Sequence, residues 1–269
     1  VIQGNIRNYG TGEVRFEAPQ ITPESTATKP SEVYKPGATL DRTLEYGGKT
    51  VPIYRDRPLN VFSDVDFIWT GEENENQRRL EYLGGEFRTR YGIDVSSFQG
   101  EIDWDAVADD NIDFAMVRVG FRGTGTGSLN TDKYYEQNIR GAMRAGLETG
   151  VYFFAQAVTV EEAIEEADYV ISLLDGLDIN GPVAYDWEMH DSTYRVYGTS
   201  PEMATACAVA FCERIKDAGY TPMVYGGTYV TYMKYDQGAL ADYLSWYPEY
   251  KSEKSEKLCP TLVYHMDYW

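Results

Sequence analysis

The sequence is poor in several residue types, and each shortage narrows what the protein can be. Only two of its 269 residues are histidine, which excludes a histidine-rich metal site. The three cysteines, Cys207, Cys212 and Cys259, do not have the spacing of zinc ligands. Because Cys207 and Cys212 lie on one predicted helix with a poor geometry for a disulfide, we expect free, buried thiols.

Positive charge is also scarce. Lysine and arginine number 24 against 43 aspartates and glutamates, which gives a net charge of −19. Nucleic acids and anionic membranes repel such a protein, so we expect neither as a partner. No apolar run approaches the roughly 20 residues of a membrane span. No signal peptide is visible, and the sequence begins with Val1 rather than with methionine. We therefore expect an N-terminus that has been processed or shortened.

Aromatic side chains, by contrast, are plentiful, with 23 tyrosines and 5 tryptophans. Such side chains are common in sugar-binding clefts, although they also fill cores and surfaces. The length suits one large domain, or a domain of about 180 residues with an extension. The composition therefore permits a carbohydrate-binding protein without requiring one.

The first 90 residues divide into two parts. Residues 1–40 are rich in Pro, Thr, Ser and Glu without a period, which predicts an extended, loop-rich arm. Residues 41–90 contain short strand-like pieces, at Lys49–Tyr54, Asn60–Trp69 and Glu81–Phe87, with an acidic turn at 71–76. Because so few short strands rarely stand alone, we predict a small β-rich extension packed on the main domain.

From Tyr91 onwards the pattern alternates between strands and helices. The predicted strands are Tyr91–Val95, Phe114–Gly120, Gly150–Ala155, Val183–Glu188 and Pro222–Tyr225, followed by Tyr243–Tyr247 and Thr261–Tyr268. The predicted helices are Asp103–Asp110, Asp132–Ala145, Glu161–Leu174 and Pro201–Ala218. Repeated βα units require a parallel sheet with right-handed crossovers. The helix-poor end predicts a TIM-like α/β barrel that closes irregularly.

The segment 183–190, Val-Ala-Tyr-Asp-Trp-Glu-Met-His, is the most informative in the chain. It predicts a buried strand that ends in two acids, Asp186 and Glu188. Side chains alternate along a strand, so both acids point to one face while Trp187 points to the core. Cleavage of a glycosidic bond uses such a pair, one group as acid and one as carboxylate. The alternative is a strand end with two solvated acids, followed by a solvated loop that begins at His190.

A third acid has a similar position on another strand. Asp94 ends the first predicted strand of the alternating region, in Gly-Ile-Asp-Val-Ser at 92–96. In barrels of this kind active residues gather at the carboxyl ends of the strands. We therefore expect Asp94, Asp186 and Glu188 to converge on one mouth of the barrel.

Several motifs in this region occur in the order found in one known family. They are Tyr-Gly-Ile-Asp-Val-Ser-Ser-Phe-Gln-Gly at 91–100, Asp-Phe-Ala-Met-Val-Arg at 113–118, Gly-Val-Tyr-Phe-Phe-Ala at 150–155 and Asp-Trp-Glu at 186–188. With these motifs, residues 91–269 resemble glycoside hydrolase family 25, the Chalaropsis-type lysozymes. The resemblance implies an irregular (β/α)5β3 barrel that hydrolyses the β-1,4 bond between N-acetylmuramic acid and N-acetylglucosamine in peptidoglycan.

The resemblance also assigns roles to residues of this chain. Glu188 matches the general acid/base, Asp186 the second carboxylate, and Asp94 the first-strand acid of the same site. Tyr152 and Tyr225 match aromatic positions in the cleft. No metal or organic cofactor is implied. We further expect a monomer, outside the cell or associated with the cell wall, whose partner is the peptidoglycan glycan strand.

Three departures from the family pattern qualify this assignment. Phe153 stands where the family usually has histidine, and Tyr243 stands where it usually has tryptophan, although both can still contact sugar through an aromatic face. The family also continues beyond the tryptophan that matches Trp269, so we expect the barrel to be truncated at its C-terminal end. Arg118 is a candidate substrate contact, and pairing with barrel acids is the alternative.

The chemistry of the acid pair leaves alternatives open. Strand spacing does not decide between retaining and inverting geometry, and the N-acetyl group of the substrate offers a third route as an internal nucleophile. We favour this substrate-assisted, retaining route, with Asp186 orienting the amide. Competing functions are a chitinase-like or endo-N-acetylglucosaminidase activity and a non-catalytic wall-binding module. The presence of all three acids argues against the last of these.

Overall fold

The computed structural model describes residues 6–9, 13–16, 28–71, 79–252 and 254–269. The described elements before Tyr91 are β1 (Ile6–Tyr9), β2 (Glu13–Phe16), α1 (Pro30–Val33), β3 (Leu40–Tyr46), β4 (Lys49–Tyr54), β5 (Phe67–Thr70) and β6 (Arg79–Tyr82). The strands form three antiparallel pairs, β1–β2, β3–β4 and β5–β6. Part of the predicted loop-rich arm and most of the predicted acidic turn lie outside the described residues.

The remainder of the chain alternates between strands and helices, as predicted. Its elements are β7 (Gly92–Val95), α2 (Trp104–Asp109), β8 (Phe114–Arg122), β9 (Leu129–Thr131), α3 (Tyr135–Arg144), β10 (Glu148–Ala155), α4 (Val160–Leu173), β11 (Val183–Trp187), α5 (Pro201–Asp217), β12 (Pro222–Tyr225), α6 (Thr228–Met233) and β13 (Leu244–Trp246). The main sheet has the order β7-β8-β10-β11-β12-β13, with every neighbouring pair parallel, and β9 pairs antiparallel with β8. This curled, helix-flanked sheet confirms the TIM-like α/β fold.

The prediction of a strand at Thr261–Tyr268 was wrong. The segment makes only two isolated bridges, one parallel from Tyr268 to Trp246 and one antiparallel from Tyr264 to Leu59. Its backbone bonds in two places, because His265 donates to the carbonyl of Pro58 while Tyr268 donates to the carbonyl of Ser245. Asp267 adds a side-chain contact by accepting from both the amide and the hydroxyl of Ser245. Two partners on different elements prevent the continuous pairing that a strand requires.

Two strands of the extension are shorter than predicted. In the region of the second piece, only Phe67–Thr70 forms a strand. The side chain of Asn60 donates hydrogen bonds to two backbone carbonyls of the C-terminal segment, and a 3-10 turn at Asp64–Asp66 begins after Ser63. The third piece ends at Tyr82. The two glycines that follow it, one of them with φ of 80°, turn the chain away from the strand direction.

The two faces of the main sheet pack against different cores. Tyr185 and Trp187 of β11 face the flanking helices and are fully buried there. On the inner face, Met116, Ala184 and Met223 form a small separate core. The structure thus confirms that Trp187 points away from Asp186, and its Nε1 donates to the carbonyl of Ala157 at 3.1 Å.

The flanking helices are fixed by their caps and by their apolar faces. Thr159 caps α4 by accepting a hydrogen bond from the amide of Glu162, and Ser200 caps α5 in the same way with Pro201 in the first turn. Within the described residues no helix is long and apolar enough to cross a membrane. Cys207, Cys212 and Cys259 are free and buried, as predicted.

The extension shares a core with the last part of the chain. Val51 and Ile53 of β4 are buried against Tyr247, Leu262 and Tyr264. Polar contacts accompany this packing. Arg57 is buried and donates to the carbonyls of Leu240 and Tyr243, and the amide of Gly37 donates to Asp236 at 2.9 Å.

Deletion of residues 1–89 should lower the melting temperature. The deletion removes Val51 and Ile53 from a closed core and leaves the apolar faces of Tyr247 and Leu262 in water. Each fully buried side chain of this kind contributes about 1.5–3 kcal/mol. Thermal denaturation followed by circular dichroism measures the effect. A melting temperature equal to that of the whole chain would mean that the extension is an independent unit.

A pair of point variants tests the same packing without a deletion. Ile53 is fully buried and Ile68 is 45% exposed, and both belong to the extension. Ile53→Ala should lower the free energy of unfolding by about 2–5 kcal/mol, because it leaves a cavity. Ile68→Ala should change it by only about 0.5 kcal/mol, as is usual for exposed positions.

Candidate active site

A cavity of about 740 Å³ lies at the inner face of the main sheet. Five of the predicted site residues line it, namely Asp94, Asp186, Glu188, Tyr152 and Tyr225. The structure therefore brings together residues that come from four different strands or strand ends. Side chains of the extension, including Phe67, Trp69, Leu80 and Tyr82, line the same cavity, so β5 and β6 contribute to its wall.

Strand register explains why these residues meet. In the parallel pairing, Asp186 of β11 lies beside Phe154 of β10 and Tyr225 of β12. Asp94 is the last residue but one of β7 and pairs with Met116 of β8. Asp94, Asp186 and Tyr225 therefore lie at or near the carboxyl ends of their strands, where the sheet opens into the cavity.

Asp186 is the most buried acid of the group, with only 6% of its surface exposed. Burial raises the pKa of its carboxyl group well above the usual range, and the neighbouring Glu188 and Asp94 raise it further. Arg118 acts in the opposite direction. Among the described residues, Oδ1 of Asp186 is buried and has no hydrogen-bond partner.

The acids of the cluster oppose the ionisation of Asp186, since the charges of Glu188 and Asp94 add to the effect of burial on its pKa. Burial, and secondarily the charge of Glu188, also raises the pKa of Asp94. The cluster therefore retains a proton at pH values at which isolated carboxylic acids are ionised.

Glu188 makes two hydrogen-bonding contacts. Its Oε2 is 2.7 Å from Nε2 of His190. Its backbone carbonyl accepts a hydrogen bond of 2.7 Å from Nε2 of Gln156. His190 is exposed, in agreement with a loop position, but its contact with Glu188 makes it part of the site. The spacing of His190, two residues beyond Glu188, is a signal for this contact in the sequence.

Aromatic rings form one wall of the cavity. The Tyr152 and Trp246 ring centroids lie 6.0 Å apart, and those of Tyr225 and Trp246 lie 5.0 Å apart, both edge to face. Burial raises the pKa of both tyrosines, so their hydroxyl groups stay protonated and can donate. Sequence reasoning missed Trp246, which lies on the inner face of β13.

Arg118 and Tyr243 do not line this cavity, although the charge of Arg118 acts on Asp186. Arg118 donates from Nε to Asp132 at 2.9 Å and from Nη2 to Ser97 at 3.2 Å, which agrees with the alternative of pairing with a barrel acid. Tyr243 is buried and donates to Glu213 at 2.8 Å on the helical side of the sheet.

The part of the chain that the structure describes offers no clear set of ligands for a metal ion. No group of three or more His, Cys, Asp or Glu side chains there is arranged to hold a metal ion. The three acids of the cavity are suited to proton transfer instead, because burial and mutual repulsion raise the pKa of Asp186 and Asp94.

Comparison with curated proteins finds two lysozymes. The autolytic lysozyme of Clostridium acetobutylicum is 26% identical over 164 residues, which are 61% of this chain and 46% of that protein. Lysozyme M1 of Streptomyces globisporus is 30% identical over 112 residues, which are 40% of this chain and 36% of that protein. The chain thus spans less than half the length of either relative.

Comparison with solved structures finds the same fold. The bacterial lysozyme from Streptomyces coelicolor has a TM-score of 0.52 and 23% identity, covering 67% of this chain and 82% of that chain. The spore cortex lytic enzyme SleM of Clostridium perfringens has a TM-score of 0.53 and 22% identity, covering 65% and 58%. At these identities the likeness concerns the architecture alone.

A family model gives the decisive match. The model described as glycosyl hydrolases family 25 matches residues 93–269. The match includes Asp94, Asp186 and Glu188 and agrees with the curled parallel sheet that positions them. Since it covers well over half of the sequence, the chain belongs to glycosyl hydrolase family 25.

Proposed function

We propose that this chain hydrolyses the β-1,4 bond between N-acetylmuramic acid and N-acetylglucosamine in peptidoglycan, with retention of configuration. The observation that carries the proposal is the cluster of Asp94, Asp186 and Glu188 in the lining of one cavity, where burial and the neighbouring acids raise the pKa of Asp186. A cluster that retains a proton supplies both a donor and a negative charge, as glycosidic cleavage requires. Membership of the family supports the assignment.

Glu188 is the proton donor in this proposal. It protonates the glycosidic oxygen as the bond to the anomeric carbon breaks, and its carboxylate later takes a proton from the attacking water. The contact of Glu188 with His190 holds the carboxyl group at the cavity surface. The side chain of Glu188 is 22% exposed, which leaves room for the leaving oxygen to approach.

Asp186 acts on the N-acetyl group of the substrate. The carbonyl oxygen of that group attacks the anomeric carbon and forms a cyclic intermediate, and water opens the ring with overall retention. The amide N–H must then donate to a fixed acceptor, because this hydrogen bond strengthens as positive charge develops on the amide. The position of Asp186 in the lining of the cavity, close to Glu188, supports this role.

The aromatic wall supplies the surface for the sugar rings. Tyr152, Tyr225 and Trp246 present ring edges and faces to the cavity, and two of them keep a hydroxyl donor. Aromatic side chains combine an apolar face with a polar group, which suits the mixed surface of a pyranose. Because the proposed substrate is a wall polymer, we place the site of action outside the cell or at the cell wall.

The pH–rate profile should be bell-shaped, with its optimum on the acidic side of neutral. Activity should fall at low pH when Asp186 becomes protonated, and this limb should lie above the ordinary aspartate pKa of about 3.9, because the pKa of Asp186 is raised. Activity should fall again at high pH when the cluster loses its last transferable proton. Initial rates on purified walls, measured from strongly acidic to alkaline pH, give the profile. Activity that rises steadily into alkaline pH would rule out a carboxylic acid as donor.

Analysis of the products separates this function from its alternatives. After digestion of a defined peptidoglycan, mass spectrometry of borohydride-reduced fragments identifies the sugar at each new reducing end. N-acetylmuramic acid there supports the proposal. N-acetylglucosamine would indicate an endo-N-acetylglucosaminidase, release of chitin fragments would indicate a chitinase-like enzyme, and retained binding without products would indicate a wall-binding module.

A further inference from the structure

We infer that Gln156 is a positioning residue, whose side chain fixes the main chain of Glu188 for proton transfer. Gln156 directly follows β10 and is fully buried. Its Nε2 donates to the backbone carbonyl of Glu188 at 2.7 Å. The inference rests on the proposed function, because it assigns to Gln156 the task of holding the proposed acid in place.

The end of the β10–β11 ladder explains why Glu188 needs such support. The last paired residues of the two strands are Ala155 and Trp187. Glu188 is the next residue along the chain and has no ladder pairing of its own. The side chain of Gln156, which is the next residue on the neighbouring strand, supplies a hydrogen bond where the ladder has ended.

The chemistry of the amide group fixes its orientation. The carbonyl oxygen of Glu188 is an acceptor, so only the NH2 group of Gln156 can face it. Oε1 of Gln156 then has no hydrogen-bond partner among the described residues. Unpaired buried polar atoms are unfavourable and call for an explanation. Here the amide satisfies the carbonyl of Glu188 at the expense of its own oxygen.

The main chain of Gln156 is itself held from both sides. Its N–H donates to Oε1 of Glu166 at 3.0 Å, and its carbonyl accepts from Nη1 of Arg195 at 2.7 Å. Both partners are anchored in turn. Glu166 is fully buried and bonded to Arg122 at 2.7 Å, and Arg195 makes a two-pronged ion pair with Glu162.

The next two residues are fixed in the same way. The carbonyl of Ala157 accepts from Nε1 of Trp187, and the amide of Val158 donates to Oε2 of Glu162. The turn after β10 is therefore bonded to the end of β11 at two successive positions. A rigid turn of this kind can hold a reacting group in place, and displacement of such a group by about 1 Å can cost 10²-fold in rate.

Gln156→Met tests the inference, because methionine has nearly the same volume but cannot donate. We expect kcat on purified walls to fall about 10- to 100-fold while KM changes less than about two-fold, since the substrate surface is untouched. Gln237→Met is the matched control. Gln237 is also buried and donates from Nε2 to a backbone carbonyl, that of Thr231 at 3.4 Å, but it does not line the cavity of the acids.

Gln156→Glu adds a readout that a purely structural role would not change. A carboxyl group can donate to the Glu188 carbonyl only when it is protonated, so kcat relative to the parent should rise as the pH falls. The same ratio for Gln156→Met should stay nearly constant with pH. Circular dichroism at each pH confirms that the variants compared are folded.

Each outcome bears on the inference separately from the proposed function. A folded Gln156→Met variant with the kcat of the parent would overturn the positioning role, and so would an equal loss of kcat in Gln237→Met. A different result would count against the proposed function itself, namely hydrolysis that is retained in Glu188→Gln. A variant of Gln156 that does not fold would leave the decision to the pH dependence of Gln156→Glu, in which a flat ratio counts against the role.

Discussion

Glu188→Gln should abolish the release of soluble fragments from purified cell walls, with a loss of at least about 10²- to 10⁴-fold. Glutamine keeps the shape of the side chain but has no acidic proton to transfer to the glycosidic oxygen. The amide has nearly the same volume and can still face His190, so the fold should remain intact. Turbidity loss of a wall suspension and circular dichroism of the same sample measure the two effects.

The chain offers a matched control for this substitution. Glu136 lies on α3 with its side chain 54% exposed and paired only with Arg140, one helical turn away. Glu136→Gln should therefore leave both the rate of lysis and the melting temperature almost unchanged. Turnover like that of the parent in Glu188→Gln would remove this residue from the role of proton donor.

Asp186→Asn should be nearly as damaging to activity, and it should stabilise the protein at neutral pH. The activity falls because a neutral amide cannot stabilise positive charge on the substrate as a carboxylate does. The free energy of unfolding rises because the pKa of Asp186 is raised in the folded state, which means that ionising this residue destabilises the fold. Asparagine does not ionise. The destabilisation by Asp186 is absent below the unfolded pKa of about 3.9 and grows as the pH rises towards the folded value.

Thermal denaturation of parent and Asp186→Asn at several pH values checks this sign. The variant should melt at a higher temperature at pH 7, by roughly 2–4 °C for each kcal/mol of destabilisation removed. The difference should shrink below about pH 4, where Asp186 is protonated in both folded and unfolded chains. A variant that melts below the parent at neutral pH would show that the carboxylate is well stabilised in the fold. Substitutions of active-site residues often lower the activity of an enzyme while they raise its stability.

The acids of the site could be predicted from the sequence because strand geometry is local. The alternation of side chains along β11 places Asp186 and Glu188 together and sends Trp187 to the opposite face, which the structure confirms. Parallel βα units bring strand ends to one edge, which places Asp94 near both. These arguments need only the chain itself and the handedness of its connections.

Other parts of the site depend on contacts that no local pattern reveals. Gln156 reaches Glu188 across 32 positions of sequence, and its own main chain depends on an ion pair between Glu162 and Arg195. Such pairings depend on how the sheet curls and on where α4 packs against it. The sequence pattern predicts both of those elements but not their mutual distance.

Tyr243 and Trp246 show how a short strand misleads. The strand spans only Leu244–Trp246, and its inner face carries Leu244 and Trp246. Tyr243 is one residue away from Leu244, so its side chain points to the opposite face of the sheet. It faces α5, where its hydroxyl donates to Glu213. With so few residues the alternation does not tell which face is inner, and a shift by one residue reverses every side chain.

The three buried thiols have a consequence for the redox chemistry of the molecule. Burial raises the pKa of Cys207, Cys212 and Cys259, so each sulfur stays protonated and shielded from oxidants. None of them is joined to another, so no cross-link contributes to the fold. The protein can thus reach the same folded state with or without an oxidant, and a reducing agent should leave its stability unchanged.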